Sequence, residues 1–185
     1  IVAIAAGTLH MLALRDDGTV LTWGSNRNGQ IGNGTTQNST LPVVVPLSSG
    51  SSAVAIAGGG FHSMALLSDG TVRAWGENSL GQLGNLATGN QLFPVGVSTL
   101  TDAVAISAGT NHSVALASDG RVWTWGGNDS GQIGNGTQAA SSAFMGAPNL
   151  HDVKDMAVGA RHMIALHHDG SVSTWGSNAY GQLGD

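Results

Sequence analysis

The chain has 185 residues, a formal net charge of −5, six Lys and Arg, and no Cys. Six cations in an acidic chain argue against a general nucleic-acid surface, which needs clustered Lys/Arg to displace counterions. Without Cys there are no disulfides or thiolate metal sites, and no apolar run approaches the roughly 18 residues of a membrane-spanning helix.

The segment from Trp23 to Gly32 returns, almost unchanged, from Trp75, Trp125 and Trp175. A period of 50 to 52 residues marks a repeat architecture, in which each unit buries its apolar faces by packing on its neighbours. The units are read as 1–52, 53–102, 103–152 and an incomplete 153–185. Each predicts a β-meander. A short alternating strand comes first, as in Val2–Ala5, Val54–Ile56 and Val104–Ile106. A Gly-containing turn leads to a second strand, His10–Arg15 in the first unit, which a two-residue Asp17–Gly18 hairpin reverses. The third strand, Thr19–Trp23, ends in an Asn/Gly-rich loop. A fourth strand is expected near Pro42–Val45 and Pro94–Val97, with Pro as the first residue of an edge strand. The third unit has Phe144–Met145 there and gives the weakest outer-strand signal. No helical apolar period is sustained, so the fold class is all-β.

Thirteen positions are identical in all four units, among them Gly7, His10, Asp17, Gly18, Trp23, Asn26 and Gln30 of the first. Identity at every repeat points to one structural job done four times. His10, His62, His112 and His162 are therefore read as satisfying backbone groups within their own units rather than as a metal site. Trp23, Trp75, Trp125 and Trp175 are read as packing, with Trp123 an extra ring. Asp17, Asp69, Asp119 and Asp169 each precede a Gly where Asp suits turn geometry, and the surroundings supply too few oxygens for calcium. His167–His168–Asp169 is the one local cluster with ligand chemistry, but adjacent strand residues point to opposite faces. No nucleophile with an attendant base and no phosphate-cradling loop entering a helix is visible. No catalytic residue, cofactor or metal is expected.

The order Gly-x-x-His, then Ala-Leu-x-x-Asp-Gly-x-Val, then Trp-Gly-x-Asn-x-x-Gly-Gln-Leu/Ile-Gly resembles the regulator-of-chromosome-condensation repeat from Val2 to Gly184. The resemblance implies a β-propeller, usually seven-bladed, with about one blade per repeat. It also implies several function classes: protein-interaction modules, GTPase exchange factors, a plant ultraviolet receptor and bacterial inhibitors of secreted enzymes. The receptor reading is disfavoured, because Leu9, Phe61, Asn111 and Arg161 stand before His where such members carry Trp. Four units, the last stopping at Gly184–Asp185, predict that further blades of the same chain or a second chain close the ring. The end faces would then carry Val2, Ile4, Val20, Leu166 and Val172. The low Lys content and the Gly, Ala, Ser, Thr and Asn richness suggest a bacterial-type, exported or surface setting.

The functional expectation is a non-enzymatic module that binds another protein through the variable loops of one face, with enzyme inhibition or nucleotide exchange as alternatives. The varying positions in the Gly-x-x-His turns are Leu9, Phe61, Asn111 and Arg161. Those in the Asn-x-x-Gly-Gln loops include Arg27, Asn28, Ser79, Leu80, Asp129 and Tyr180. These ten residues are the partner-binding candidates. Phe, Tyr and Arg are residue types enriched at interfaces.

Overall fold

A computed structural model describes residues 1–47, 50–146 and 150–185. Among the described residues, fifteen strands build four antiparallel sheets, each in chain order. The first sheet holds β1 (Ala3–Ala6), β2 (His10–Leu14), β3 (Val20–Gly24) and β4 (Ser39–Val44). The second holds β5 (Ala53–Gly58), β6 (His62–Leu67), β7 (Val72–Gly76) and β8 (Gln91–Gly96). The third comprises β9 (Ala103–Ala108), β10 (His112–Ala117), β11 (Val122–Gly126) and β12 (Ser141–Gly146). The fourth has β13 (Val153–Val158), β14 (His162–His167) and β15 (Val172–Gly176). The sheets stack as propeller blades that do not close into a ring within this chain.

The hairpin between the second and third strands differs from the two-residue loop expected. Arg15 N–H bonds Thr19 O at 2.9 Å and Gly18 N–H bonds Arg15 O at 3.1 Å, so Asp16, Asp17 and Gly18 form a three-residue loop. Only Gly18 takes positive φ (81°), as in a turn followed by a left-handed bulge residue. Asp17 Oδ1 accepts the Thr19 amide at 2.8 Å, which explains why Asp recurs there. The outer strands also start earlier than expected. Pro42 and Pro94 fall inside β4 and β8, where pairing with the third strand shifts register. An irregularity on an edge strand is where a missing N–H costs least.

The core lies between blades. One apolar cluster joins Leu12, Leu14 and Val20 of the first blade to Ala65 and Trp75 of the second. A second joins Met64, Leu66 and Val72 to Ala115 and Trp125, and a third joins Val114 and Val122 to Met163 and Ala165. Val20, expected on an outward end face, is instead wholly buried at the first seam. Strand alternation accounts for this, since it turns Val20 toward the second blade while the outward face shows Ile4, Met11 and Trp23. Ile4 and Val172 are exposed, as expected, and Leu166 is half-buried, whereas Val2 does not mark an open end, because its counterparts Val54 and Val104 in the inner blades are exposed as well.

Candidate functional site

Both turn families expected on one face lie there. The turn between first and second strands and the loop after the third meet where His10 pairs with Gly24, and Ser25 N–H bonds Leu9 O at 2.8 Å. The recurrent polar residues fix this loop from inside. Asn26 is fully buried; its Oδ1 accepts Ile31 N–H at 2.9 Å and its Nδ2 donates to Thr35 O at 2.9 Å. Gln30 Oε1 accepts the Asn28 amide at 2.9 Å. Asn78 with Gln82, and Asn128 with Gln132, repeat the arrangement. Side chains between the Asn and the Gly are thereby held outward, although Asp129 Oδ1 also accepts Gln132 Nε2–H at 2.9 Å and Asn28 Oδ1 accepts Asn90 Nδ2–H at 3.3 Å.

The same loop ties each blade to the next. The Gln30 carbonyl accepts Trp75 Nε1–H at 2.9 Å and Ser63 Oγ–H at 2.9 Å. Gln82 repeats this with Trp125 and Ser113, and Gln132 accepts Trp175. Gly32 permits the approach: a Cβ there would lie 2.7 Å from the Trp75 ring.

His10 and His62 bridge blades rather than serving backbone groups of their own, which corrects the sequence reading for these two, while the buried His112 ring has no hydrogen-bond partner among the described residues. His10 Nε2 lies 2.9 Å from Ser63 Oγ, and His62 Nε2 lies 2.9 Å from Ser113 Oγ. Each Ser proton is committed to a Gln carbonyl, so the imidazole must donate from Nε2. Burial keeps both rings neutral, so with the proton on Nε2 the Nδ1 of His10 and of His62 is unprotonated. Although this is a His–Ser pair, the ring is the donor and both side chains are sealed from solvent, so the hydroxyl is not activated for attack on a substrate. Burial dominates in holding these rings uncharged, pushing His10 down to about 4, His62 to about 3 and His112 to about 4. Neighbouring histidines add to the effect at His62 and His112, while the Asp129 charge opposes it at His112. Ser63 and Ser113 were not singled out from sequence. The available signal was that one frame position reads Met11, Ser63, Ser113 and Met163.

The His167–His168 pair diverges. His167 Nε2 lies 2.8 Å from Ser173 Oγ, while His168 Nδ1 lies 3.3 Å from Asp152 Oδ1. Among the described residues no group of three or more His, Asp or Glu is arranged to hold a metal ion. Trp123 is half-buried, with the Arg121 guanidinium 5.3 Å from its ring centroid.

Nine of the ten candidates are distributed over three successive seams of this face and Tyr180 lies in the last loop, so they do not converge on one centre. At the first seam Leu9, Arg27, Asn28 and Phe61 line one depression of about 640 Å³ with Ser25 and Asn38, two residues sequence reasoning missed. At the second, Leu80 and Asn111 both abut Gly127, and the Ser79 hydroxyl turns back to Glu77 Oε1 at 3.3 Å. At the third, Arg161 Nη1 pairs with Asp129 Oδ2 at 2.9 Å, a solvent-exposed ion pair. Tyr180, in the last loop, is 94% exposed.

A family model described as the RCC1-like domain matches residues 1–185. The mitochondrial RCC1 domain-containing protein RUG3 of Arabidopsis thaliana is 34% identical over 100 residues, 54% of this chain and 22% of that protein. The crystal structure of human WBSCR16 superposes on 99% of this chain with a TM-score of 0.88 at 25% identity, using 49% of that chain. Yeast RCC1 (Prp20), solved bound to Kap60, gives 0.85 at 28% identity over 98% of this chain and 44% of its own. This chain thus spans less than half the length of each of these proteins. All three are eukaryotic and lend no support to the bacterial, exported setting suggested by composition.

Proposed function

This chain belongs to the RCC1-like domain family, and from that premise we propose that it is a non-enzymatic protein-interaction unit. Its partner, another protein, is contacted by the variable side chains of the face formed by the Gly-x-x-His turns and the Asn-x-x-Gly-Gln loops. One observation carries the reading. Buried Asn26, Asn78 and Asn128 lock the loops from within, while Arg27, Leu80, Asp129 and Tyr180 of the same loops stand exposed. A rigid scaffold presenting differing side chains suits recognition. That yeast RCC1 (Prp20), a protein of similar fold, was solved bound to Kap60 is in keeping with a protein partner. Further blades, from the same polypeptide or a second one, would cover the outward faces that display Ile4 and Val172.

The test is affinity capture from the source proteome, quantified for two paired variants and one single variant of the upper face and one paired variant of the opposite face. Leu9→Ala/Phe61→Ala, Leu80→Ala/Asn111→Ala and Tyr180→Ala are compared with Asp69→Ala/Asp119→Ala in the hairpins. Loss of a partner from at least one upper-face variant, with retention in the hairpin variant, is the expected outcome. Loss confined to the hairpin variant would overturn the assignment of the face. Once a partner is in hand, adding the protein to its activity or nucleotide-release assay separates inhibition and exchange from simple docking.

A further inference from the structure

Each seam on the upper face places two positions together: the residue before His in one blade, and the variable loop residues of the blade before it. The third seam fills these positions with Arg161 and Asp129, which neutralise each other at 2.9 Å. The first fills them with Phe61 and Arg27. Among the described residues no carboxylate lies within 4.0 Å of the Arg27 guanidinium, so here the cation faces solvent without a counterion.

The rest of the depression is built of donors and apolar walls. Its six lining residues include no carboxylate. Asn38 spends its Oδ1 on the Asn26 amide at 2.9 Å, and Asn28 spends its Oδ1 on Asn90 Nδ2 at 3.3 Å, so both amides have N–H groups left to donate. Ser25 adds a hydroxyl. Leu9, 60% exposed, and half-buried Phe61 supply the apolar surface. A guanidinium beside an aromatic wall is a pairing that favours binding hot spots.

We infer that the first seam is a docking site for an acidic segment of a partner protein, in which a carboxylate pairs with Arg27 and an adjacent apolar side chain covers Leu9 and Phe61. Charge complementarity selects the occupant: the donor-rich lining rewards an anion, and a cationic segment would meet Arg27 at close range. The arrangement supplies from outside the carboxylate that Asp129 supplies internally at the third seam. This inference rests on the upper face being the interaction face, and it names the chemistry recognised there.

The test is an amide NMR titration of the ¹⁵N-labelled chain with the small probe acetyl-Asp-Phe-amide and its uncharged isostere acetyl-Asn-Phe-amide. Shifts are expected at Leu9, Ser25, Arg27 and Phe61, with the Asp probe binding about threefold or more tighter, as befits an exposed ion pair. Raising the salt should narrow that gap, because exposed charges are screened. Arg27→Gln should abolish the preference and Arg27→Lys should retain part of it. Both substitutions are at an exposed site, and an otherwise unchanged spectrum verifies the fold. Equal binding of the two probes, or no binding of either at millimolar concentration, would overturn the inference. Shifts confined to Leu80, Asn111 or Tyr180 would remove this seam but leave the face. Shifts confined to the Asp-Gly hairpins would remove both readings.

Discussion

Removing the Trp75 ring tests whether the seams are the true core. The side chain is fully buried, lies against Gly32 of the preceding blade and donates to the Gln30 carbonyl at 2.9 Å. Truncating a buried aromatic to Ala costs about 3–5 kcal/mol, of which about 1 kcal/mol belongs to the hydrogen bond. The loss falls below an additive sum because Ser63 Oγ–H still serves the same carbonyl at 2.9 Å. Trp75→Phe keeps most of the apolar contact and loses the N–H, so it should cost only about 1–2 kcal/mol. Trp23 occupies the same frame position on the outward face, half-buried, and Trp23→Ala should cost clearly less than Trp75→Ala. Urea unfolding followed by circular dichroism gives the three differences from the midpoints and slopes. Equal costs for Trp23→Ala and Trp75→Ala, or a cost under about 1 kcal/mol at Trp75, would refute the claim that interblade packing holds the structure.

Acid should destabilise the protein well above the carboxylate range. His10, His62 and His112 have native pKa values lowered from 6.5 to about 4, 3 and 4, so the unfolded chain binds protons first. Their contribution is complete above pH 6.5 and is lost as the pH falls from there toward 4 and below, at about 1.4 kcal/mol per unit for each ring. A urea midpoint unchanged between pH 7.5 and 5 would contradict their burial as neutral rings. At the hairpins, Gly70→Ala should cost more than Gly170→Ala in the same unfolding assay. Both glycines hold positive φ, but a Cβ at Gly70 would lie 2.5 Å from the Thr101 carbonyl oxygen, whereas at Gly170 it meets nothing within 4 Å. Equal costs would mean that backbone strain alone decides these positions.

Much of the architecture was legible because it is local and repeated. Alternating runs, Asp-Gly turns and a period near fifty residues determined the strands, their order and the all-β repeat class, and the resemblance of the repeat to a known family implied the propeller. Repetition also separated scaffold from display: Asn26 and Gln30 recur because they bond the loop they belong to, and Arg27 varies because it bonds nothing there. Some local detail escaped all the same. Asp-Gly suits two loop lengths, and only the Arg15–Thr19 and Gly18–Arg15 hydrogen bonds selected the three-residue form. What sequence could not supply was everything decided between blades. His10 finds its partner in Ser63, Val20 is buried by the second blade, and Arg27 shares a depression with Phe61. None of these pairings has a local spacing rule, because a repeat specifies each unit but not how far one turns against the next. That rotation is set by packing Trp75 over Gly32, and only the folded chain shows which variable side chains it brings together.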